Sequence, residues 1–258
     1  MIVTVQKVSA IYFSPTGTTK SVVKHMLTEF DTQQGVIDLT PYENRDNSYL
    51  FNENELVLIG IPVYGGRVPS AAENRIRLLK GNNTPAVLIA TYGNIHYSNA
   101  LFELQQIVSE NGFITIAAAV VVSEHNVVNE IASGRPNAQD LLAVSSFAKQ
   151  VHTKLSQLNR LENIVLKGKT PETPRDTQPI KPHGNKKCTH CGACGKLCPV
   201  QAIDDPRKTA GQACIRCMRC IKYCPQKART YGNLMKVGAR LLLSINSHGE
   251  EKQPEFFM

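Results

Sequence analysis

The chain has 258 residues, of which 42% are hydrophobic and 19% are charged, and its formal net charge is +8 at pH 7. This composition excludes a largely disordered chain, and the length allows one full domain with a smaller one beside it. The longest apolar run, over residues 113–122, is much shorter than the roughly 20 residues that span a bilayer, so we expect no membrane segment.

Strand-like and helix-like segments alternate along the first 160 residues. Short and almost continuously apolar runs predict buried parallel strands over residues 8–14, 35–40, 55–63, 85–92 and 113–122. Helical periodicity predicts amphipathic helices over residues 18–30, from Ala100 to a stop at Gly112, and from about Asn137 to Leu161. Together these elements predict a doubly wound α/β fold, in which a five-stranded parallel sheet with the order 2-1-3-4-5 is covered on both faces.

The loop between the first strand and its helix reads SPTGTTK and is rich in hydroxyl groups. A helix N-terminus presents unpaired N–H groups and a partial positive charge, and a glycine lets a ligand approach the backbone closely. We therefore predict a phosphate monoester site made by Ser14, Thr16, Gly17, Thr18 and Thr19. The spacing differs from that of nucleoside-triphosphate and dinucleotide loops. Ordinary helix capping is the alternative explanation for such a turn.

The loops after the third and fourth strands should meet the phosphate loop, because ligands of doubly wound sheets bind at the carboxyl ends of the strands. Each of these loops places a tyrosine beside a glycine, which offers a ring face for stacking and accessible backbone amides. The predicted pocket residues are Pro62, Val63, Tyr64, Gly65, Gly66, Thr91, Tyr92, Gly93, Asn94 and Tyr97.

Composition changes after the α/β pattern. Residues 162–187 contain four prolines and many charges, which predicts a linker or a strap over the surface. A cysteine-rich module covers residues 188–232. One amphipathic helix and a polar tail that ends in PEFFM are expected in residues 233–258, and the sequence leaves open whether the tail packs on the body.

All eight cysteines lie between Cys188 and Cys224, in two copies of the pattern C-x2-C-x2-C-x3-C-P. This clustering indicates metal ligation in a reducing cytoplasm instead of disulfides. In this spacing the cysteine before the proline ligates the other cluster of a pair. We therefore predict one [4Fe–4S] cluster held by Cys188, Cys191, Cys194 and Cys224, and a second held by Cys214, Cys217, Cys220 and Cys198. Two zinc sites of four thiolates each are the alternative, although zinc modules use paired knuckles separated by a spacer.

The cysteine segment closely resembles bacterial-type two-cluster ferredoxins, and residues 8–160 resemble short-chain flavodoxins, whose phosphate loop matches SPTGTTK. Taken whole, the chain resembles flavodoxin–ferredoxin fusion proteins of anaerobic microbes. The resemblance implies a flavodoxin-like FMN-binding domain over residues 1–161, a linker over 162–187, and a small α+β ferredoxin-like domain with two [4Fe–4S] clusters over 188–232.

The flavodoxin resemblance also implies that the isoalloxazine ring of FMN lies between the loops at residues 62–66 and 91–94. The chain contains no tryptophan, a residue that flavodoxins often stack on the flavin. One of three tyrosines, Tyr64, Tyr92 or Tyr97, would then take its place.

These cofactors predict a cytoplasmic protein that transfers electrons between FMN, the two clusters and external redox partner proteins. The alternative is an FMN-dependent reductase of a small organic acceptor that its own clusters supply with electrons. Two bound clusters and a phosphate would leave the holoprotein only slightly basic, so we expect no nucleic-acid partner. The sequence assigns no catalytic residue.

Two groups of residues keep two explanations each. Basic residues around the second cysteine repeat either form a docking patch for an acidic partner or stay hydrated; they are Arg216, Arg219, Lys222, Lys227 and Arg229. Three residues in the loops at the sheet edge either contact flavin or substrate, with a histidine as proton donor near flavin N5, or only order the loops; they are His96, Glu124 and His125.

Overall fold

The structure is a computed structural model that describes residues 5–170, 175, 180–246 and 251–258. Its strands are β1 (Lys7–Tyr12), β2 (Gln33–Asp38), β3 (Tyr49–Phe51), β4 (Glu55–Pro62), β5 (Leu79–Gly81), β6 (Thr84–Tyr92), β7 (Phe113–Val122), β8 (His183–Gly184), β9 (Arg229–Thr230) and β10 (Glu255–Phe257). Its helices are α1 (Thr18–Leu27), α2 (Ser70–Ile76), α3 (Ala100–Ser109), α4 (Ala138–Gln157), α5 (Ala193–Lys196), α6 (Arg219–Lys222) and α7 (Asn233–Asn246).

The main sheet has the order β10-β7-β6-β4-β1-β2. Its five parallel strands, β1, β2, β4, β6 and β7, therefore follow the order 2-1-3-4-5 that the sequence predicts. The sequence did not predict the sixth strand, β10, which the C-terminal tail adds in antiparallel orientation beside β7. An edge strand leaves a row of backbone N–H and C=O groups unpaired, and the tail satisfies part of that row.

Several boundaries and short elements differ from the sequence prediction. Helix α1 ends at Leu27 instead of Phe30, and α4 ends at Gln157 instead of Leu161. Asn137 starts α4 through a capping box with Asp140. The prediction missed helix α2 and the two-stranded sheet of β3 and β5, which are short and carry no strong periodicity.

Apolar side chains form one core on each face of the sheet. The first core packs α1 and α4 on the sheet through residues such as Val23 and Phe147. The second core holds Ile76 and Leu104 of α2 and α3, and it also includes Ile215 and Cys217. The cysteine-rich module thus shares a hydrophobic core with the α/β body.

Described residues of the segment after α4 contact the α/β body. Ile164 N donates to Thr115 O (2.8 Å), and Gln105 Nε2 donates to Ile164 O (2.9 Å). Further along, Arg175 forms an ion pair with Glu73 (2.6 Å) and another with Glu103. In the described part of the chain, no helix combines the length and the apolar character that crossing a membrane requires.

Candidate functional site

The eight cysteines are free thiols that line two separate small cavities. The first cavity is lined by Cys188, Cys191, Cys194 and Cys224, and the second by Cys198, Cys214, Cys217 and Cys220. Each set therefore combines three cysteines of one repeat with the fourth cysteine of the other. Within the described ranges, no three His, Cys, Asp or Glu side chains are arranged to hold a single metal ion.

The two repeats position their cysteines in the same way. Each begins its short helix with a left-handed residue, Gly192 (φ 75°) before α5 and Met218 (φ 59°) before α6. In each repeat the sulfur before the proline accepts a backbone N–H bond from the residue four positions later, with distances of 3.3 Å to Cys198 and 3.2 Å to Cys224. Such N–H bonds favour the thiolate form that ligates metal.

The two sets differ in burial. Cys191 is exposed and Cys188 is half-buried, whereas all four cysteines of the second set are buried. Burial raises the pKa of Cys220 to about 11. Burial also acts to raise the pKa of Cys224, but backbone N–H bonds outweigh it and leave that pKa below its usual value. Buried thiols become stable anions only when they bind metal, so loading the sites should release protons.

Arg229 lies between the two cysteine sets, with only 3% of its surface exposed. Its guanidinium donates to three backbone carbonyls, those of Pro206 (2.9 Å), Lys208 (2.9 Å) and Pro182 (2.8 Å). Its buried Nε has no hydrogen-bond partner, and no acidic side chain in the described part of the chain forms an ion pair with it.

The charge of Arg229 acts on thiols of both cysteine sets, namely Cys194 and Cys224 of the first and Cys220 of the second. Burial raises the pKa of Cys194 and of Cys220, and the nearby guanidinium partly reverses both shifts. A buried cation without an acidic partner fits a site that binds an anionic cluster.

A larger cavity of about 420 Å³ opens at the carboxyl ends of β4, β6 and β7. The loops after these strands supply much of its lining, namely Val63, Tyr64, Gly65, Gly66, Gly93, Ile95, His96, His125, Asn126 and Val127. The rest comes from Ile180, from Ile215, Arg216 and Met218 of the second cysteine repeat, and from Gly238, Ala239 and Leu243 of α7. The lining is mainly apolar, which suits a flat aromatic ligand.

Close contacts require glycine at two positions in the cavity wall. Gly66 has a φ of +76°, and a Cβ there would lie 2.8 Å from Ser98 Oγ. A Cβ on Gly93 would lie 2.5 Å from Cδ2 of His125. Side chains at either position would push the loops apart.

The three candidate tyrosines occupy different environments. Tyr64 lines the large cavity. Tyr92 is 3% exposed and packs edge-on against Tyr97, with ring centroids 5.5 Å apart. Tyr97 donates its hydroxyl to Glu255 Oε2 in the C-terminal strand (2.8 Å). The structure thus places Tyr92 and Tyr97 outside the walls of the cavity, and Tyr64 is the tyrosine positioned to stack on a ligand.

The predicted pocket residues around Thr91 hold the loops together. Thr91 O accepts from Val63 N (2.8 Å), which joins the ends of β4 and β6 beside Pro62. Asn94 is buried in a left-handed conformation, and its Oδ1 accepts from Lys252 N in the tail (3.2 Å). Thr91 and Asn94 do not line the cavity, and their hydrogen bonds hold its loops in place.

The hydroxyl groups of the loop after β1, where the sequence predicts a phosphate site, have two different environments. Thr19 Oγ1 is hydrogen-bonded to Thr91 Oγ1 (2.7 Å), and Ser14 Oγ accepts from Lys20 N (2.9 Å). Thr16 and Thr18 instead line a small polar cavity of about 70 Å³. Gly17 makes the turn between them with a φ of +91°.

The cavities share walls. Asn126 and Met218 line both the large apolar cavity and the small polar one. Ile215 and Met218 line both the large cavity and the cavity of the second cysteine set. Sequence reasoning missed both apolar residues, although they occupy the x positions between cysteines, where a side chain can point away from a cluster.

Both candidate histidines line the large cavity. Nδ1 of His125 accepts the backbone N–H groups of Val127 (3.2 Å) and Val128 (3.1 Å), so the ring proton lies on Nε2. Burial lowers the pKa of His125 to about 4, which keeps the ring neutral at physiological pH. Nδ1 of His96 is hydrogen-bonded to Ser98 Oγ (2.8 Å).

The five basic residues around the second repeat do not form one surface. Arg219 Nη1 donates to Pro15 O (2.6 Å), Arg216 Nη1 donates to Cys214 O (2.8 Å), and Arg229 is internal. Lys222 and Lys227 are exposed. Arg219 and Arg229 donate to backbone carbonyls from distant parts of the chain, and local charge in the sequence does not reveal these contacts.

Comparison with known proteins gives a family match for part of the chain. Residues 185–204 match the family described as a 4Fe-4S binding domain. A search of curated proteins finds no match. The chain thus joins a doubly wound α/β fold with the strand order 2-1-3-4-5 to a segment that matches a 4Fe–4S binding family.

Similar solved structures include two flavodoxins and an azoreductase. A Streptococcus pneumonia TIGR4 flavodoxin is 12% identical and covers 57% of this chain and 99% of its own, with a TM-score of 0.41. Flavodoxin 1 from Bacillus cereus is 14% identical and covers 57% and 97%, with a TM-score of 0.42. An azoreductase from Bacillus anthracis str. Sterne is 11% identical and covers 58% and 99%, with a TM-score of 0.40.

Proposed function

We propose that this flavodoxin-like, 4Fe–4S-binding chain is a cytoplasmic electron-transfer protein that carries FMN and two [4Fe–4S] clusters. When bound, FMN exchanges one or two electrons and each cluster exchanges one, so the assembly links one-electron and two-electron couples. One observation carries the proposal. Ile215 and Met218 form a wall between the large apolar cavity and the cavity of the second cysteine set.

The residues that would hold FMN match the two halves of that cofactor. Thr16 and Thr18 would bind the phosphate in the small polar cavity, where the start of α1 adds backbone N–H donors. Tyr64 would stack on the isoalloxazine ring in the apolar cavity. Asn126 and Met218 line both cavities, as expected for one ligand that spans them.

The burial of the cysteines supports an order for the relay. The second set is buried and its cavity shares Ile215 and Met218 with the large apolar cavity, whereas Cys191 of the first set is exposed. External partners would therefore exchange electrons at the first cluster. Lys186, Lys187 and Lys196 are exposed around that set, so we expect an acidic partner surface there.

A reductase is the second candidate function. His96 and His125 both line the large cavity, and His125 keeps its proton on Nε2, where it can donate a hydrogen bond to a ligand. Such a reductase should oxidise its own reduced flavin with a small acceptor, such as a quinone, in repeated turnovers. An electron carrier should give a single turnover unless a protein partner is added.

The test begins with the protein purified without oxygen. We expect about eight iron atoms and eight sulfides per chain, with one FMN released on denaturation. Zinc in place of iron, or the absence of flavin, would overturn the proposal.

Serine variants then test how the two clusters are ligated. Cys198→Ser should damage the cluster of the second repeat, and Cys224→Ser should damage that of the first. Iron analysis and electron paramagnetic resonance of the reduced variants would report which cluster is lost. Damage confined to each variant's own repeat would refute the crossed ligation.

A further inference from the structure

We propose that Lys222, which belongs to the second cysteine repeat, binds the phosphate of FMN, so that the iron–sulfur module completes the flavin site. The assignment rests on the proposed function. It adds a cationic group to the cavity that Thr16 and Thr18 line.

The segment around Lys222 is already fixed against that loop. Arg219 Nη1 donates to Pro15 O (2.6 Å), and the Tyr223 hydroxyl donates to Thr16 O (3.3 Å). The Arg219 guanidinium also lies 5.2 Å from the centre of the Tyr223 ring. Two contacts on consecutive loop residues hold α6 beside the predicted phosphate site.

Lys222 lines the same small cavity as Thr16 and Thr18. Of the described residues that line this cavity, it alone carries a positive charge. Asn126 and Asn129 also line the cavity, and their side-chain amides donate to Arg216 O (3.2 Å) and to Glu124 Oε1 (2.8 Å).

Glu124 makes a cation necessary at this place. Its carboxylate also lines the cavity, where Asn129 Nδ2 donates to it (2.8 Å). A phosphate monoester carries nearly two negative charges at neutral pH, so it would be repelled by this carboxylate. The ammonium group of Lys222 offsets that repulsion and forms a charge-assisted hydrogen bond with the phosphate.

Riboflavin provides the matched ligand for a test, because it has the ring system of FMN and lacks the phosphate. The cluster-loaded chain is stripped of flavin and titrated without oxygen with FMN or with riboflavin, and the quenching of flavin fluorescence is recorded. For Lys222→Gln we expect FMN to bind about tenfold more weakly, and riboflavin to bind within twofold of the wild type.

Two further variants complete the design. Lys222→Arg should keep FMN affinity within about threefold of the wild type, because the charge is retained. Lys227→Gln removes another exposed charge from the same repeat and should leave both affinities unchanged. The iron content of every variant should equal that of the wild type.

Different outcomes separate this assignment from the proposed function. Equal weakening of both flavins by Lys222→Gln would show a structural role and overturn the assignment, and so would an unchanged affinity for FMN. A wild-type protein that binds neither flavin would overturn the proposed function and the assignment with it. Steeper salt dependence of FMN binding in the wild type than in Lys222→Gln would support the assignment.

Discussion

Replacement of Arg229 by glutamine should lower the reduction potential of the two proposed clusters. The reduced state of a cluster carries one more negative charge than the oxidised state, so a buried cation stabilises the reduced state more. Arg229 is almost completely buried between Cys194 and Cys220, and its guanidinium donates to three backbone carbonyl groups. Water therefore screens it little.

The size of the shift follows from the loss of one buried charge-assisted interaction, which is worth about 1.5–3 kcal/mol. Since about 1.4 kcal/mol is a tenfold change in an equilibrium constant and equals 59 mV for one electron, the potentials should fall by about 60–130 mV. Arg229→Lys, which keeps the charge, should shift them less. The exposed Lys227 serves as the control, and Lys227→Gln should shift them by less than about 20 mV.

The assay is a potentiometric titration without oxygen, in which electron paramagnetic resonance follows the reduced clusters. Iron analysis must first show that Arg229→Gln retains both clusters. Unchanged or higher potentials in that fully loaded variant would refute the role of the buried charge. A shift in one cluster only would show that Arg229 acts on the set nearer to it.

Two further predictions concern stability. Phe256→Ala removes a ring that stacks on Phe147 with centroids 4.7 Å apart, so the free energy of unfolding should fall by about 2–4 kcal/mol in denaturant titrations. Met258→Ala, at an exposed position, is the control. Equal unfolding midpoints for the two variants would contradict the packing role of Phe256. The pKa of His125 is about 4 in the fold and about 6.5 in an unfolded chain, so the unfolded state binds more protons and stability falls as pH drops through this window. Between pH 7.5 and 5.5 the wild type should lose about 1 kcal/mol more than His125→Gln, and equal losses would count against the buried neutral ring.

Local patterns in the sequence were enough to predict the parallel strands and the two cysteine sets. A buried parallel strand is almost continuously apolar, and the spacing within each repeat determines which sulfurs can reach one site. The structure places Cys198 beside Cys214 and Cys224 beside Cys188, as that spacing predicts, while their ligation to clusters stays a prediction.

Contacts between distant segments decided what the sequence could not predict. Tyr92 and Tyr97 look equivalent to Tyr64 in their loops, but Tyr97 is held by Glu255, which is 158 residues away along the chain. The burial of Arg229 likewise depends on carbonyl groups of Pro182 and Pro206. No local periodicity encodes such long-range contacts. These contacts determine which tyrosines line the cavity and which ones pack outside it.

Because the C-terminal strand β10 returns to the main sheet, the cysteine-rich module lies along the chain between two segments of that sheet. A fragment cut after residue 161 would lack β10 and would expose the backbone of Ala118–Val120 along an uncharged edge of β7. Such an edge can pair with another copy of the fragment and cause aggregation. Anyone who produces the α/β body separately should therefore supply residues 251–258, either as a peptide or through a short artificial loop.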